Sequence, residues 1–343
     1  MKPLLNTLFI TSDGSYLRKE GETVVVTNGR EIKLRMPIHN ISGIICMARC
    51  HCSPALLGMC GKSGVAISFH TSSGRFLARL QGPVSGNVLL RTRQYKSSED
   101  LTLAVEIARP MVMAKIYNCR ISLQRAIRDH YGAEAPEHLQ KAVGRMEGYL
   151  QDTKQEGDLE RLRGFEGYAS RLYFQAFNHL IVTQKEDFVF TSRNRRPPLD
   201  RVNALLSFVY TLLLHDVTSA VESVGLDPAV GFLHRMRPGR PSLALDLMEE
   251  FRPSFADRLV LSLINLRQIV PTDFAVLASG GIWLNDEGRK KVIIAYQKRK
   301  QEELNHPFLA EKIPLGMFFF AQALLLARFL RGDLDGYPAV FWR

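Results

Sequence analysis

Apolar positions in the first 80 or so residues come in short runs broken by turn signals. Leu8-Phe-Ile, Glu22-Thr-Val-Val-Val, Glu31-Ile-Lys-Leu and Ile41-Ser-Gly-Ile-Ile predict strands. Asp13-Gly14, Glu20-Gly21 and Asn28-Gly29 predict the turns between them, the last a strong hairpin dipeptide because both residues tolerate positive φ. Ser53-Pro54 predicts a helix start, a hydroxyl cap followed by proline at the first helical position, with the helix running through Met59. Two more strands follow at Val65-Ala-Ile-Ser-Phe and Arg75-Phe-Leu-Ala-Arg, and Gly82-Pro83 closes the block. From about Asn87 the period becomes helical, through Leu103-Val105-Ile107, Val112-Ile116 and Ile121-Leu123-Ile127, with polar loops at 131–137 and 184–200. The predicted class is α+β: a small β-rich N-terminal domain over 1–84, then a larger all-α domain over 85–343.

Composition narrows the partners. Hydrophobic content of 46% and charged content of 23% are ordinary for a globular chain of 343 residues, but a net charge of +11 is not. Such an excess favours a polyanion, nucleic acid first, against the plainer reading of a basic enzyme charged for solubility. Met1-Lys-Pro-Leu-Leu-Asn carries no long apolar region of the signal-peptide kind. The most apolar window, Leu315 to Arg328, is interrupted by Gln322 and is shorter than the roughly 20 residues a bilayer requires, so it predicts a core helix. A cytoplasmic protein that engages no membrane is expected. Gly61-Lys62-Ser63 imitates the end of a phosphate-binding P-loop, but Leu56 stands where that motif needs glycine, and the tripeptide closes a predicted helix instead of opening one. An ATPase is excluded.

Cysteine is odd in number: Cys46, Cys50, Cys52, Cys60 and Cys119, which disfavours a disulfide framework. Cys46-Met-Ala-Arg-Cys50-His51-Cys52 could hold zinc, but the spacing is not that of paired C-x2-C knuckles, and buried thiols are the expectation.

The chemistry-bearing residues gather between Gly231 and Pro253. Ser242 is expected to cap a helix on which Asp246 and Glu249, three apart, share a face. His234 precedes them, with Arg235, Arg237 and Arg240 in the basic Pro/Gly loop between. One histidine with two carboxylates is a mixed N/O donor set suited to Mn2+ and acceptable to Mg2+, although a histidine after an apolar segment is more often a packed core residue. Asp227-Pro228 predicts a short helix just upstream. Glu250 should point about 100° from Glu249, toward solvent or an arginine. Farther upstream, Glu166 shares the apolar face of Leu162, Ala169 and Tyr173, and needs either an arginine or a metal to be buried there; the simpler alternative places it at the edge, paired with Arg163. Arg193, Arg195 and Arg196 lie in the 184–200 loop, and Arg289 to Lys300 forms a basic amphipathic helix that would ordinarily be a solvated face.

In order along the chain, Ser53-Pro-Ala-Leu, Ser73-Gly-Arg-Phe-Leu-Ala-Arg, Leu90-Arg-Thr-Arg-Gln-Tyr, Arg163-Gly-Phe-Glu166-Gly, Asn203-Ala-Leu-Leu-Ser-Phe-Val-Tyr, Gly225-Leu-Asp-Pro and His234 through Pro253 resemble the CRISPR-associated spacer-acquisition integrase family, closest to its subtype I-C branch. The resemblance covers nearly the whole chain. It implies a β-sandwich-like dimerisation domain and an α-helical catalytic domain. It also implies a divalent-metal site at Glu166, His234 and Glu249, with Asp246 as a supporting acid and Mn2+ or Mg2+ as cofactor. The implied reaction is metal-dependent nicking and transesterification of DNA: the 3′-hydroxyl of a captured fragment attacks a phosphodiester at a repeat boundary of the CRISPR array. Arginines, with Arg163, Arg193, Arg195, Arg196, Arg235, Arg237 and Arg240 as candidates, would hold flanking phosphates. The implied partners are DNA, a second copy of the chain, and a small acquisition subunit completing a heterohexamer. Two other functions fit the same residues: a structure-selective nuclease of branched DNA that integrates nothing, and a nucleic-acid-binding scaffold whose acids are structural.

Overall fold

The computed structural model describes residues 6–71, 76–80, 82, 88–278 and 280–342. Residues 1–5, Ser73 to Arg75 of the quoted motif, Pro83 and the expected boundary between 84 and 85 lie outside the described residues. The chain divides into two compact units, Met1–Gly86 and Asn87–Arg343.

The first unit holds β1 (Thr7–Ile10), β2 (Ser15–Glu20), β3 (Thr23–Asn28), β4 (Glu31–Pro37), β5 (Gly43–Cys46), β6 (His51–Cys52), α1 (Pro54–Ser63), β7 (Ala66–His70) and β8 (Phe76–Arg79). One four-stranded sheet has the order β4-β3-β2-β6, the other β1-β5-β7-β8. The expected turns at Gly21 and Gly29 are present, with φ of +57° and +59°, and they make β2-β3-β4 an antiparallel meander. Parallel pairing joins β6 to β2, and β1 and β7 to β5. Leu17, Val24, Val26, Ile44, Leu56 and Ile67 form the buried core between them. Ser53 accepts the Leu56 N–H at 3.2 Å with Pro54 behind it, and left-handed Gly64 ends α1, so Gly61-Lys62-Ser63 does close a helix.

The second unit contains α2 (Val88–Glu99), α3 (Leu101–Ala126), α4 (Glu137–Gln155), α5 (Leu159–Ala176), α6 (Arg201–Ser223), α7 (Ser242–Met248), α8 (Arg258–Asn265), β9 (Phe274–Val276), β10 (Ile282–Leu284), α9 (Asp286–Gln301), β11 (Glu303–Asn305), β12 (Lys312–Pro314) and α10 (Leu315–Arg331). It is therefore not all-α. β9/β10 and β11/β12 are antiparallel pairs of three residues each, too short for a period-2 pattern to stand out beside the helices. The three helical runs expected between 103 and 127 are one 26-residue helix, α3, opened by Asp100, whose carboxylate accepts the N–H groups of Thr102 and Leu103. α3 packs against α4 and α5, and α6 against α7 and α10.

The apolar window at 315–328 is a buried part of α10, as expected. By length and composition alone α6 could cross a membrane, yet most of its apolar window is buried within this unit. The unit also buries Asp216 of α6 beside Lys300 at 2.9 Å and under the Tyr296 hydroxyl at 2.8 Å. Lys300 and Arg289 are themselves buried, so α9 is not simply a solvated basic face. No helix forms at Asp227-Pro228. The Gln94 side chain instead donates to the carbonyls of Asp227 and Val230 and accepts the Asp227 N–H, occupying the backbone groups a helical turn would use.

Candidate metal centre

Asp246 organises the site. Fully buried on α7, it accepts three consecutive backbone N–H groups, Phe232 at 2.6 Å, Leu233 at 3.0 Å and His234 at 2.9 Å. Its Oδ1 also sits 2.6 Å from His234 Nδ1. A carboxylate is acceptor-only, so in the neutral ring Nδ1 carries the proton and Nε2 keeps its lone pair. Gly231 makes this close approach feasible, since a Cβ there would lie 2.6 Å from Asp246 Oδ2 and 2.7 Å from the Ser242 carbonyl carbon. Ser242 is not the cap expected of it. It is the first residue of α7, buried, and its hydroxyl donates back to the Arg235 carbonyl at 3.3 Å, tying down the loop instead of the helix end.

Glu249 closes α7, one residue past Met248. His234 Nε2 faces its Oε1 at 3.8 Å. Arg252 Nη1 lies 2.8 Å from Oε1, and Lys115 Nζ of α3 lies 2.6 Å from Oε2. These are ion pairs at close range. Neither buried oxygen of Glu249 has a donor aligned for a hydrogen bond. Burial pushes this carboxyl up, but Arg252, Lys115 and His234 outweigh it and hold it at about 2.

Glu166 reaches the same place from α5, a helix opened by Asp158, which accepts the Arg161 N–H at 2.8 Å. It pairs with Lys115 and accepts the Ser170 hydroxyl at 3.0 Å. Its expected pairing with Arg163 does not occur. Arg163 pairs with Glu160 and donates to the Leu233 carbonyl at 2.5 Å, and Glu160 also holds Arg235 at 2.8 Å. Lys115 is thus the residue that sequence reasoning missed. Burial lowers its affinity for the proton, while Glu166 and Glu249 more than restore it, so the ammonium stays charged. Its position was marked: Met111, Lys115 and Cys119 form an i, i+4, i+8 row on α3, and all three are buried.

Glu166 and Glu249 are therefore joined through the Lys115 ammonium, and His234 stands beside Glu249. Donor atoms of three such side chains come within 4.8 Å of one another, among the described residues, at Cys46, Cys50 and Cys52, and not here. Without a divalent ion the two carboxylates repel, and the lysine is the charge that bridges them. The donor set still fits a hard divalent cation: an imidazole lone pair aimed at a buried carboxylate whose oxygens have no aligned donor, plus a second carboxylate alongside.

Beside Glu166 opens a cavity of about 720 Å3, lined among others by Lys115, Glu166, Arg171, Arg193, Arg195 and Arg252. Arg193 and Arg252 both lie over the Tyr210 ring, at 5.4 and 5.2 Å, and Arg193 donates to Asn203 and Ser207. Tyr210 donates its hydroxyl to Asp257 at 2.6 Å. Of the candidate phosphate-holding arginines, Arg193 and Arg195 line the cavity, while Arg163, Arg196, Arg235, Arg237 and Arg240 do not. Glu250, expected near solvent or an arginine, is fully buried and meets neither. It accepts the Tyr337 hydroxyl at 2.5 Å, the Val340 N–H at 2.8 Å and the Gln322 amide at 2.9 Å.

The fold has close relatives among solved structures. A casposase bound to integration product superposes with a TM-score of 0.83 at 23% identity, over 98% of this chain and 94% of that one. A CAS1 protein from Thermotoga maritima gives 0.83 at 23% identity, over 98% and 100%. A chain of a Cas6-RT-Cas1–Cas2 complex gives 0.84 at 21%, over 98% of this chain and 36% of that one. In sequence, residues 8–298 match the family model described as CRISPR associated protein Cas1. The CRISPR-associated endonuclease Cas1 1 of Chlorobaculum tepidum is 51% identical over the full length of both chains, as is the CRISPR-associated endonuclease Cas1 2 of Rhodospirillum rubrum. The chain belongs to the Cas1 family of CRISPR-associated endonucleases.

Proposed function

We propose that this chain is a divalent-cation-dependent DNA endonuclease and integrase of CRISPR spacer acquisition, of the subtype I-C branch, with Glu166, His234 and Glu249 holding Mn2+ or Mg2+. The observation that carries this reading is the imidazole of His234. It is locked by Asp246 through Nδ1, with its free Nε2 3.8 Å from a buried carboxylate that no aligned donor satisfies. Bound there, a divalent cation would polarise a scissile phosphate and favour the attacking oxyanion.

The chain's own residues do the rest. Asp246 sets the ring's tautomer and angle. Lys115 and Arg252 hold Glu249 ionised, Lys115 also pairs with Glu166, and Arg171, Arg193 and Arg195 give the cavity the charge to hold phosphates. In strand transfer, the 3′-oxygen of a captured fragment forms a bond to phosphorus at the repeat boundary as the bridging 3′-oxygen leaves and takes up a proton. One phosphodiester replaces another. Water in place of the 3′-hydroxyl turns the exchange into cleavage. A small acquisition subunit and DNA as partners accord with the fold's likeness to a chain of a Cas6-RT-Cas1–Cas2 complex and to a casposase bound to integration product; a second copy and a heterohexamer complete the proposed assembly.

The test is joining of a labelled 3′-hydroxyl fragment into a supercoiled plasmid carrying a repeat, with Mn2+, with and without the small subunit. Glu166→Ala, His234→Ala and Glu249→Ala should each reduce joining and cleavage by about 100-fold or more, above the roughly 10–100-fold cost of losing an outer partner, while DNA binding persists. Metal-dependent cleavage retained in all three variants would overturn the ligand assignment. Cleavage of branched DNA without any joining would replace integration by a structure-selective nuclease.

A further inference from the structure

We propose that the N-terminal unit carries a second metal site of a different chemical kind, in which the thiolates of Cys46, Cys50 and Cys52 bind one zinc-class soft divalent ion. Their sulfurs lie within 4.8 Å of one another. Zn–S bonds of about 2.3 Å at tetrahedral angles place ligand sulfurs about 3.8 Å apart, so a shift of an ångström or less completes the geometry.

The trio stands where the chain passes from one sheet to the other. Cys46 ends β5, in register with Ile10 of β1 and Phe69 of β7. Five residues later the chain enters β6, where His51 and Cys52 pair with Tyr16 and Leu17 of β2 in the second sheet. The backbone of this crossing is already fixed. Met47 N–H donates to the Ile10 carbonyl at 2.8 Å, Gly14 N–H to the Arg49 carbonyl at 2.8 Å, and Arg49 N–H to Asp13 Oδ1 at 2.9 Å. Cys50, just before β6, and Cys52 within it are both partly buried, while His51 between them is exposed. A site that needs little rearrangement loses little entropy on binding.

Packing alone explains Cys46, which is buried. Cys50 and Cys52 also pack against the core of this unit, yet packing alone does not need three sulfurs, from a strand end, a loop end and an edge strand, to meet at one point. Cys50 and Cys52 are only partly buried, so an ion has a route in. Binding converts three S–H groups to thiolates and releases their protons to solvent. The ion would clamp β5 to β6, and with them the two sheets. Sulfur donors select a different ion from the oxygen-rich Glu166 centre, so the two sites are chemically orthogonal.

The experiment uses the full chain kept reduced with a phosphine. Elemental analysis after gel filtration should find about one zinc per chain, and Co2+ titration into metal-stripped protein should give near-ultraviolet sulfur-to-cobalt absorption. An N/O site such as the Glu166 centre cannot produce that band, so failure of one site does not read as failure of the other. Cys50→Ser and Cys52→Ser should each abolish the band, and Cys119→Ala should leave it. Absence of the band from the unsubstituted protein at saturating Co2+ overturns the proposal without reliance on any variant. So does a band that survives both serine substitutions.

Discussion

Glu249 and Glu250 are neighbours in sequence, equally buried, and opposite in character. Glu249 faces the ammonium of Lys115, the guanidinium of Arg252 and the ring of His234, and is held at about 2. Glu250 faces only neutral donors, Tyr337, the Val340 amide and Gln322, and burial pushes it up to about 7 despite them. Desolvation is the largest influence on both. What separates them is whether a full opposite charge is present to repay it, since a neutral hydrogen bond recovers only part of the cost of burying a charge. One side of this chain segment therefore carries a charge balanced by cationic side chains, and the other is a structural anchor.

The comparison is most exposed at Lys115. Lys115→Gln removes a buried cation from two carboxylates and should cost about 3–5 kcal/mol of stability in metal-free protein. The variant should also gain more in melting temperature from Mn2+ than the parent does, because the ion no longer competes with an ammonium. A smaller gain than the parent's would mean the lysine assists the ion instead of standing in for it. Next comes the pair itself. Glu250→Ala leaves the buried Tyr337 hydroxyl and Val340 N–H without their acceptor, while Gln322 keeps Tyr337 and Pro338. It should cost about 3 kcal/mol, a fall of roughly 6–12 °C by calorimetry. Glu249→Gln should lower cleavage about 100-fold or more. If cleavage per folded molecule falls as far in Glu250→Ala as in Glu249→Gln, the division of labour is wrong.

Asp257 is an intermediate case, buried with a Tyr210 hydroxyl and Arg252 nearby, and burial raises it from 3.8 to about 6. A folded-state value above the unfolded one means its contribution to stability is full below about pH 4 and is lost as pH rises through about 6. The stability of the parent relative to Asp257→Asn should fall by about 2 kcal/mol between pH 4 and 7 in denaturant unfolding; a flat difference would show that Arg252 compensates it fully. The smallest effect belongs to Asp246→Asn, which disturbs the His234 tautomer while keeping the shape. Roughly 10–100-fold weaker Mn2+ binding by calorimetric titration is expected, and unchanged binding would remove Asp246 from the site.

Features with a local cause were readable in advance. Asn28-Gly29 made its hairpin and Ser53-Pro54 its helix start because turn and cap chemistry is decided within a few residues. Asp246, Glu249 and His234 were legible as a group because they are close in sequence. Lys115 was not, although its row on α3 carried the signal, because a lysine inside an apolar stripe is normally read as reaching outward. Ser242 and Asp227 were misread in different ways: α7 does start at Ser242, but its hydroxyl goes to the Arg235 carbonyl. The Asp227 carboxylate does accept the Ala229 N–H, yet Gln94 holds the backbone N–H and carbonyl of Asp227 and no helix follows. Glu250 was misplaced because its partners lie 72 to 90 positions downstream.

Those partners bear on how the protein is made. Tyr337 and Val340 bind the Glu250 carboxylate, Trp342 donates to the Glu250 carbonyl at 3.2 Å, and Asn118 of α3 links the same carbonyl to Val340 and Trp342. During synthesis α3, α5 and α7 leave the ribosome long before residue 342 does. Until then the peptide next to Glu249 has open donors and acceptors around it, and the segment carrying this acid is not locked. The helical unit is thus built to finish late, and a nascent chain stalled before Tyr337 holds Glu166, His234 and Glu249 without the contacts that brace Glu250.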